Sequence, residues 1–95
     1  AVADLQRLAA RHGRLAVRLL HVPAAPGPEI PFARVLHAKT LVVDERVVWI
    51  GTSNWARGYF FASRNAGVLI DSPAVAAALN AWHRRLFTSS DSAPP

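Results

Sequence analysis

One stretch of the chain gathers the side chains best suited to chemistry: His37-Ala38-Lys39-Thr40-Leu41-Val42-Val43-Asp44, followed after six residues by Gly51-Thr52-Ser53-Asn54. Residues two apart on an extended segment face the same side, so His37 and Lys39 are expected to project together, about 7 Å apart. If Asp44-Glu45 is a two-residue hairpin turn, Val43 faces Arg46, Lys39 faces Ile50 and His37 faces Thr52. Asn54 then follows Thr52 on the same side, and a longer loop shifts this register by one or two. An imidazole, an ammonium, a hydroxyl and an amide would thus share one patch. That set suits attack on a phosphodiester. An imidazole is a nucleophile through one nitrogen when an acceptor holds the other. Lysine, hydroxyl and amide donors can grip phosphoryl oxygens and stabilise charge as it develops, which leaves no need for a metal or other cofactor.

Stepping outward, the elements that must position these groups follow from periodicity. Asp4 to His12 reads as a helix with Leu5, Leu8 and Ala9 on one stripe and Gly13 as its stop. Arg14 to Val22 alternates like a strand with both faces largely buried, and Pro23 to Pro31, with four prolines and a glycine, reads as a loop. Strands are expected over Arg34 to Val43, Arg46 to Ile50 and Ala66 to Ile70, with Gly51 to Arg64 loop-like. Ser72-Pro73 opens a helix as N-cap and first-turn proline, and Val75, Leu79, Trp82 and Leu86 form its apolar stripe. Ser89 to Pro95 reads as a disordered tail. The predicted fold is α/β, a mixed β-sheet flanked by helices.

Composition narrows the classes. The chain has 95 residues, 52% hydrophobic and 18% charged, which fits one globular unit or part of one. No apolar run approaches the roughly 18 residues of a membrane span. Without cysteine there is no disulfide framework, thiolate metal site or cysteine nucleophile. No methionine is present and the N-terminus carries no signal-peptide pattern, so the chain is expected to be a piece of a longer protein. Ten of the eleven basic residues are arginine and the net charge is +5. That charge suits an anionic partner, while arginines scattered at 7, 11, 14, 18, 84 and 85 read more simply as a solvated surface.

The spacing His-x-Lys-x4-Asp-x6-Gly-Thr-x-Asn resembles the signature of the phospholipase D superfamily, complete as His37, Lys39, Asp44, Gly51, Thr52 and Asn54. From average residue usage, a chance match at a given start is on the order of 10⁻⁸. The resemblance covers roughly Arg14 to Ile70. Gly51-Thr52-Ser53-Asn54-Trp55, then Tyr59-Phe60, then Ala66-Gly67, is most similar to the endolysosomal phospholipase-D-like 5′-exonucleases and their poxviral relatives. The resemblance implies a two-step, metal-independent mechanism: one histidine forms a phosphohistidine and the histidine of a second motif serves the leaving group and then water or an alcohol. Carried over, His37 is nucleophile or general acid/base, Lys39 and Asn54 bind phosphate, Thr52 assists and Asp44 orders the motif. The chain has one motif, so residues 1–88 are expected to form half of the phospholipase D-like domain, its C-terminal portion. The second motif then comes from a missing N-terminal half or from a homodimer partner. The family often places a carboxylate about 28 residues after the motif histidine, beside a catalytic imidazole; here the neighbourhood reads Ser63-Arg64-Asn65-Ala66 without an acid, and Asn65 can accept a hydrogen bond there but cannot stabilise an imidazolium by charge, which implies some loss of activity.

The substrate expected is a phosphodiester of phospholipid or single-stranded nucleic acid, with hydrolysis, transfer to an alcohol as in phosphatidyltransferases, and a non-catalytic relic as the three readings. Trp55, Tyr59, Phe60 and Phe61 form either a rim that stacks bases or grips acyl chains, or the cover of a core edge. Trp49 and Trp82 read as core, and His12, His21 and His83 as structural. Arg57 and Arg64 flank the motif as solvated charge.

Overall fold

The computed structural model describes residues 2–23, 27–28 and 35–94. In order, the elements are α1 (Val2–Arg11), β1 (Leu19–Leu20), β2 (Lys39–Val43), β3 (Val47–Gly51), α2 (Arg57–Phe61), β4 (Gly67–Asp71), α3 (Pro73–Phe87) and β5 (Ser92–Ala93). The α/β architecture matches expectation. The pairings do not: among the described residues both sheets are antiparallel, β1–β5 and β2–β3–β4, where a mixed sheet was expected. The chain divides into two compact units, Val35–His83 and the remainder.

The unit spanning Val35–His83 is a three-stranded meander carrying most of α3. Its apolar centre is small, with Val48 and Ala76 both at 0% exposure. Val48 pairs with Val42 and Ile70 in the underside of the sheet, together with Thr40, Ile50 and Val68. Helix α3 begins where the sequence places it. Ser72 caps it, with the Val75 N–H donating to Ser72 Oγ at 3.4 Å and the Ala76 N–H to its carbonyl at 3.0 Å. The helix meets the underside of the sheet: His83 Nε2 and Thr40 Oγ1 lie 2.7 Å apart, and Ile50 lines an apolar cavity of about 290 Å³ with Val75, Ala78, Leu79 and Trp82.

The hairpin differs from the expected register by one residue. Asp44 and Glu45 both lie at positive φ, 51° and 53°, and the Arg46 N–H closes the turn on the Val43 carbonyl at 3.1 Å. Arg46 does not join the ladder, and Val43 pairs with Val47. The displacement has a cause. The Arg46 carbonyl accepts the Ser72 N–H at 3.0 Å and its guanidinium grips Asp71 through two hydrogen bonds of 2.6 and 3.0 Å. Asp71 correspondingly raises the Arg46 pKa. Arg46 is thus drawn toward the β4–α3 junction and becomes a bulge.

In the other unit the strand expected over Arg14 to Val22 shrinks to Leu19–Leu20, and the tail expected to be disordered supplies its partner, Ser92–Ala93. Arg18 accounts for this order. Its Nε donates to Ser92 Oγ at 2.8 Å, its Nη2 bonds the Ser92 carbonyl, and its guanidinium lies 5.4 Å from the Phe87 ring centroid. Ser92 is buried. Helix α1 starts two residues before the expected Asp4 and keeps Leu5 and Leu8 exposed. The proline-rich loop falls largely outside the described residues, as does Arg34 at the expected start of β2.

Glutamate at φ 53° carries steric strain that glycine avoids. Glu45→Gly is therefore expected to stabilise the hairpin by about 0.5–1 kcal/mol and Glu45→Val to destabilise it by at least as much. Thermal unfolding of both variants checks this, and a lower Tm for the glycine variant contradicts the turn geometry.

Candidate functional site

Lys39 opens β2 and is paired with Gly51, which in turn pairs with Gly67. These three positions share the upper face of the sheet with Leu41, Trp49 and Leu69, because paired residues point the same way and the pleat alternates. The indole of Trp49 lies across both glycines. A Cβ at Gly51 would fall 2.3 Å from its benzo ring, and one at Gly67 2.8 Å from its Nε1. Glycine at position 51 therefore leaves room for an aromatic plane opposite Lys39.

Lys39 is only 8% exposed, and its Nζ donates to the His37 backbone carbonyl at 3.0 Å. An ammonium has three donors, so two remain for other acceptors. His37 lies two residues before β2 and is exposed, outside the ladder in which it was expected to face Thr52. The expected strand over Arg34 to Val43 is shortened to Lys39–Val43. What links His37 to Lys39 is the amine-to-carbonyl bond rather than a shared strand face. The other expected pairing, Lys39 with Ile50, is replaced by Lys39 with Gly51.

Thr52 follows β3 in a local network. Its N–H donates to the Ala66 carbonyl at 3.0 Å, and its hydroxyl accepts the Ala66 N–H at 3.1 Å. The hydroxyl proton has two acceptors, Asn65 Oδ1 at 3.2 Å and the Ala66 carbonyl at 3.3 Å. Asn65 in turn donates through Nδ2 to the Tyr59 carbonyl at 2.7 Å and to Ser63 Oγ at 3.4 Å. Both ends of the amide are thereby assigned. Asn65 is thus bonded to Thr52 on one side and to the backbone of α2 on the other. Ser63 Oγ adds a bond to the Gly58 carbonyl at 2.9 Å.

Asn54 is half-buried, and its carbonyl accepts the Ala56 N–H at 2.8 Å, a tight bend with Trp55 at its apex. Asp44 sits in the hairpin turn, five residues along the strand from Lys39, a separation on the order of 16 Å. That distance removes it from direct chemistry with Lys39 and leaves it the turn-forming role. Among the described residues, no three His, Asp or Glu side chains are grouped as a metal site needs.

Two features were not legible in the sequence. The loop Gly51 to Arg64, expected to be irregular, contains α2, and its aromatics are exposed: Trp55 at 65% and Phe60 at 55%. Trp49, expected in the core, instead joins them, with ring centroids 5.3 Å from Trp55, which is 6.2 Å from Phe60. His83 is structural as expected, holding Thr40, the residue next to Lys39. The spacing of Trp49 two residues before Gly51, on the same strand face, was the available signal for the second.

The family model described as "Cardiolipin synthase, PLD-like domain" matches residues 3–87. The probable phospholipase D of Caenorhabditis elegans is 39% identical over 62 residues, 65% of this chain and 11% of its own length. The 5′-3′ exonuclease PLD4 of Homo sapiens is 39% identical over 54 residues, 57% of this chain and 10% of its own length. The virion nicking-joining enzyme of Vaccinia virus (strain Western Reserve) is 41% identical over 67 residues, 70% of this chain and 15% of its own length. The matched stretch thus spans a small part of each of these curated relatives.

The Asn65 network makes a prediction opposite to simple restoration of a carboxylate. Asn65→Asp places a carboxylate oxygen against the Tyr59 carbonyl, 2.7 Å from the present Nδ2. The lost bond and the repulsion together cost about 1–2 kcal/mol, roughly a factor of 10. Amide hydrogen exchange at Thr52 and Ala66 is expected to quicken more in Asn65→Asp than in Asn65→Ala. Slower exchange in the aspartate variant would refute the bonding pattern.

Proposed function

Because the chain belongs to the phospholipase D superfamily, we propose that it supplies one half of a two-motif phosphodiesterase site in which His37 is the nucleophile. Residues 1–88 form this half-domain, and the second motif comes from another part of a longer chain or from a second copy. An imidazole nitrogen of His37 forms a bond to phosphorus as the bond to the leaving oxygen breaks. The histidine of the second motif gives that oxygen its proton. The same histidine then takes a proton from water, the water oxygen bonds to phosphorus, and the N–P bond breaks to release His37.

Lys39 and Asn54 hold the phosphoryl oxygens while negative charge shifts among them, and Thr52 joins them by turning its hydroxyl proton away from Asn65 and the Ala66 carbonyl. The burial of Lys39 makes its ammonium effective in this role, since fixed donors in a water-poor setting need no reorganisation. The observation that carries the reading is the complete motif with Lys39 Nζ bonded to the carbonyl of His37 itself, 3.0 Å away. Asp44 orders the turn, and Asn65 positions Thr52. The substrate class is a phosphodiester of nucleic acid or phospholipid; the names of the relatives, an exonuclease, a nicking-joining enzyme and a phospholipase D, support both. An alcohol in place of water in the second step gives transfer, the reading favoured by the description of the matching family model as a cardiolipin synthase domain.

Hydrolysis of bis(p-nitrophenyl) phosphate by the full-length protein that carries both motifs is expected to persist in excess chelator, and the 95-residue chain alone to be inactive unless it dimerises. His37→Ala should abolish it, and Lys39→Ala should lower kcat by about 10²–10³. Unchanged turnover in His37→Ala removes the assignment; sensitivity to chelator removes the metal-independent scheme. Adding glycerol and separating the products distinguishes transfer from hydrolysis.

A further inference from the structure

Three aromatic rings follow one another from the centre of the candidate site to its edge. Trp49 lies on the Lys39 face of the sheet, across Gly51 and Gly67. Trp55 stands 5.3 Å from it at an interplanar angle of 58°, and Phe60 stands 6.2 Å from Trp55 at 54°. Trp55 and Phe60 are more than half exposed. From the phosphodiesterase reading above, on which this step rests, we infer that the row is a stacking subsite for nucleobases of a single-stranded substrate.

Four observations select a base over a hydrocarbon chain. First, the row starts beside the proposed phosphate-binding lysine: Gly51 is the cross-strand partner of Lys39, and the Trp49 indole covers it. A nucleotide held at its phosphate by Lys39 therefore has an aromatic plane within one strand spacing. Secondly, Trp55 and Phe60 are exposed side by side at the outer end of the row, where a base can stack on either ring without regard to sequence. Thirdly, the apolar cavity lined by Ile50, Val75, Ala78, Leu79 and Trp82 lies beneath the sheet, on the face opposite Lys39, so that concavity does not receive an acyl chain from the phosphate site. Fourthly, Arg57 follows the row two residues after Trp55 in a chain of net charge +5, which favours a polyanion.

The row is also tied to the motif. Asn65 joins the Thr52 hydroxyl to the Tyr59 carbonyl, and Tyr59 precedes Phe60 in α2. Placement of Phe60 and placement of Thr52 are parts of one network.

The test uses the full-length protein that carries both motifs with three substrates: a short oligothymidylate, the same strand carrying tetrahydrofuran abasic sites, and short-chain phosphatidylcholine. The KM for oligothymidylate is expected to lie roughly 10-fold below that for the abasic strand. Trp55→Ala and Phe60→Ala should bring the two within about 2-fold by raising the oligothymidylate value, and Trp55→Phe should keep most of the difference. An unchanged ratio in both alanine variants overturns the subsite, as does an equal rise in KM for phosphatidylcholine, which would make the row a grip for hydrocarbon. His37→Ala separates the two claims. Loss of all turnover in that variant with an unchanged base-to-abasic ratio in the others defeats the stacking subsite alone, whereas retained turnover defeats the phosphodiesterase reading beneath it.

Discussion

The candidate site depends on a missing side chain. Opposite Lys39 stands Gly51, and the space that any Cβ there would need is filled by the indole of Trp49, at 2.3 Å from the ideal Cβ position. Gly67, next in the same row, is open in the same way. Two paired glycines at the end of β3 and the start of β4 weaken the sheet there, because each has more backbone freedom to lose and nothing to pack. The indole offsets that loss by covering both positions. The same arrangement fixes an aromatic plane beside the ammonium, so the motif glycine acts through what it admits rather than through its own conformation.

The two faces of β2 divide the work. Lys39 points to the upper face, and its neighbour Thr40 points down to His83 on α3 at 2.7 Å. Beneath the sheet, Val48 and Ala76 provide the only fully buried apolar side chains among the described residues. So little buried hydrocarbon leaves directional bonds with a large share of the positioning. The Thr40–His83 bond, the Arg46 contacts with Ser72 and Asp71, and the Thr52–Ala66 pair each fasten the hairpin at a different point: the start of β2, the turn, and the end of β3.

Much of this was legible in the sequence. The spacing of His37, Lys39, Asp44, Gly51, Thr52 and Asn54 identified the family, and Ser72-Pro73 located the start of α3 to the residue. The hairpin itself was legible, but its register was not. Asp44-Glu45 reads as a two-residue turn from local chemistry, and only the tertiary pull of Ser72 and Asp71 on Arg46 adds the third residue. The alternation over Arg14 to Val22 overestimated a strand that has only Ser92–Ala93 to pair with. The tail looked disordered because its composition is polar; the bonds from Arg18 that order it join residues 74 apart. Asn65 was recognised by its place in the motif, and its partners could not be, because a side-chain amide reads the same whichever way it points.

The identity of that amide bears on how the site keeps its charge. A carboxylate at position 65 would need donors on both sides. Asn65 has one donor before it, the Thr52 hydroxyl, and two acceptors behind it, the Tyr59 carbonyl and Ser63 Oγ. Only a group that accepts at one end and donates at the other satisfies both. The amide is therefore matched to its surroundings rather than a carboxylate that lost its charge. The imidazole that a family carboxylate would steady must then find its acceptor elsewhere. If His37 is the nucleophile, as proposed, its imidazole takes its acceptor from a group other than residue 65.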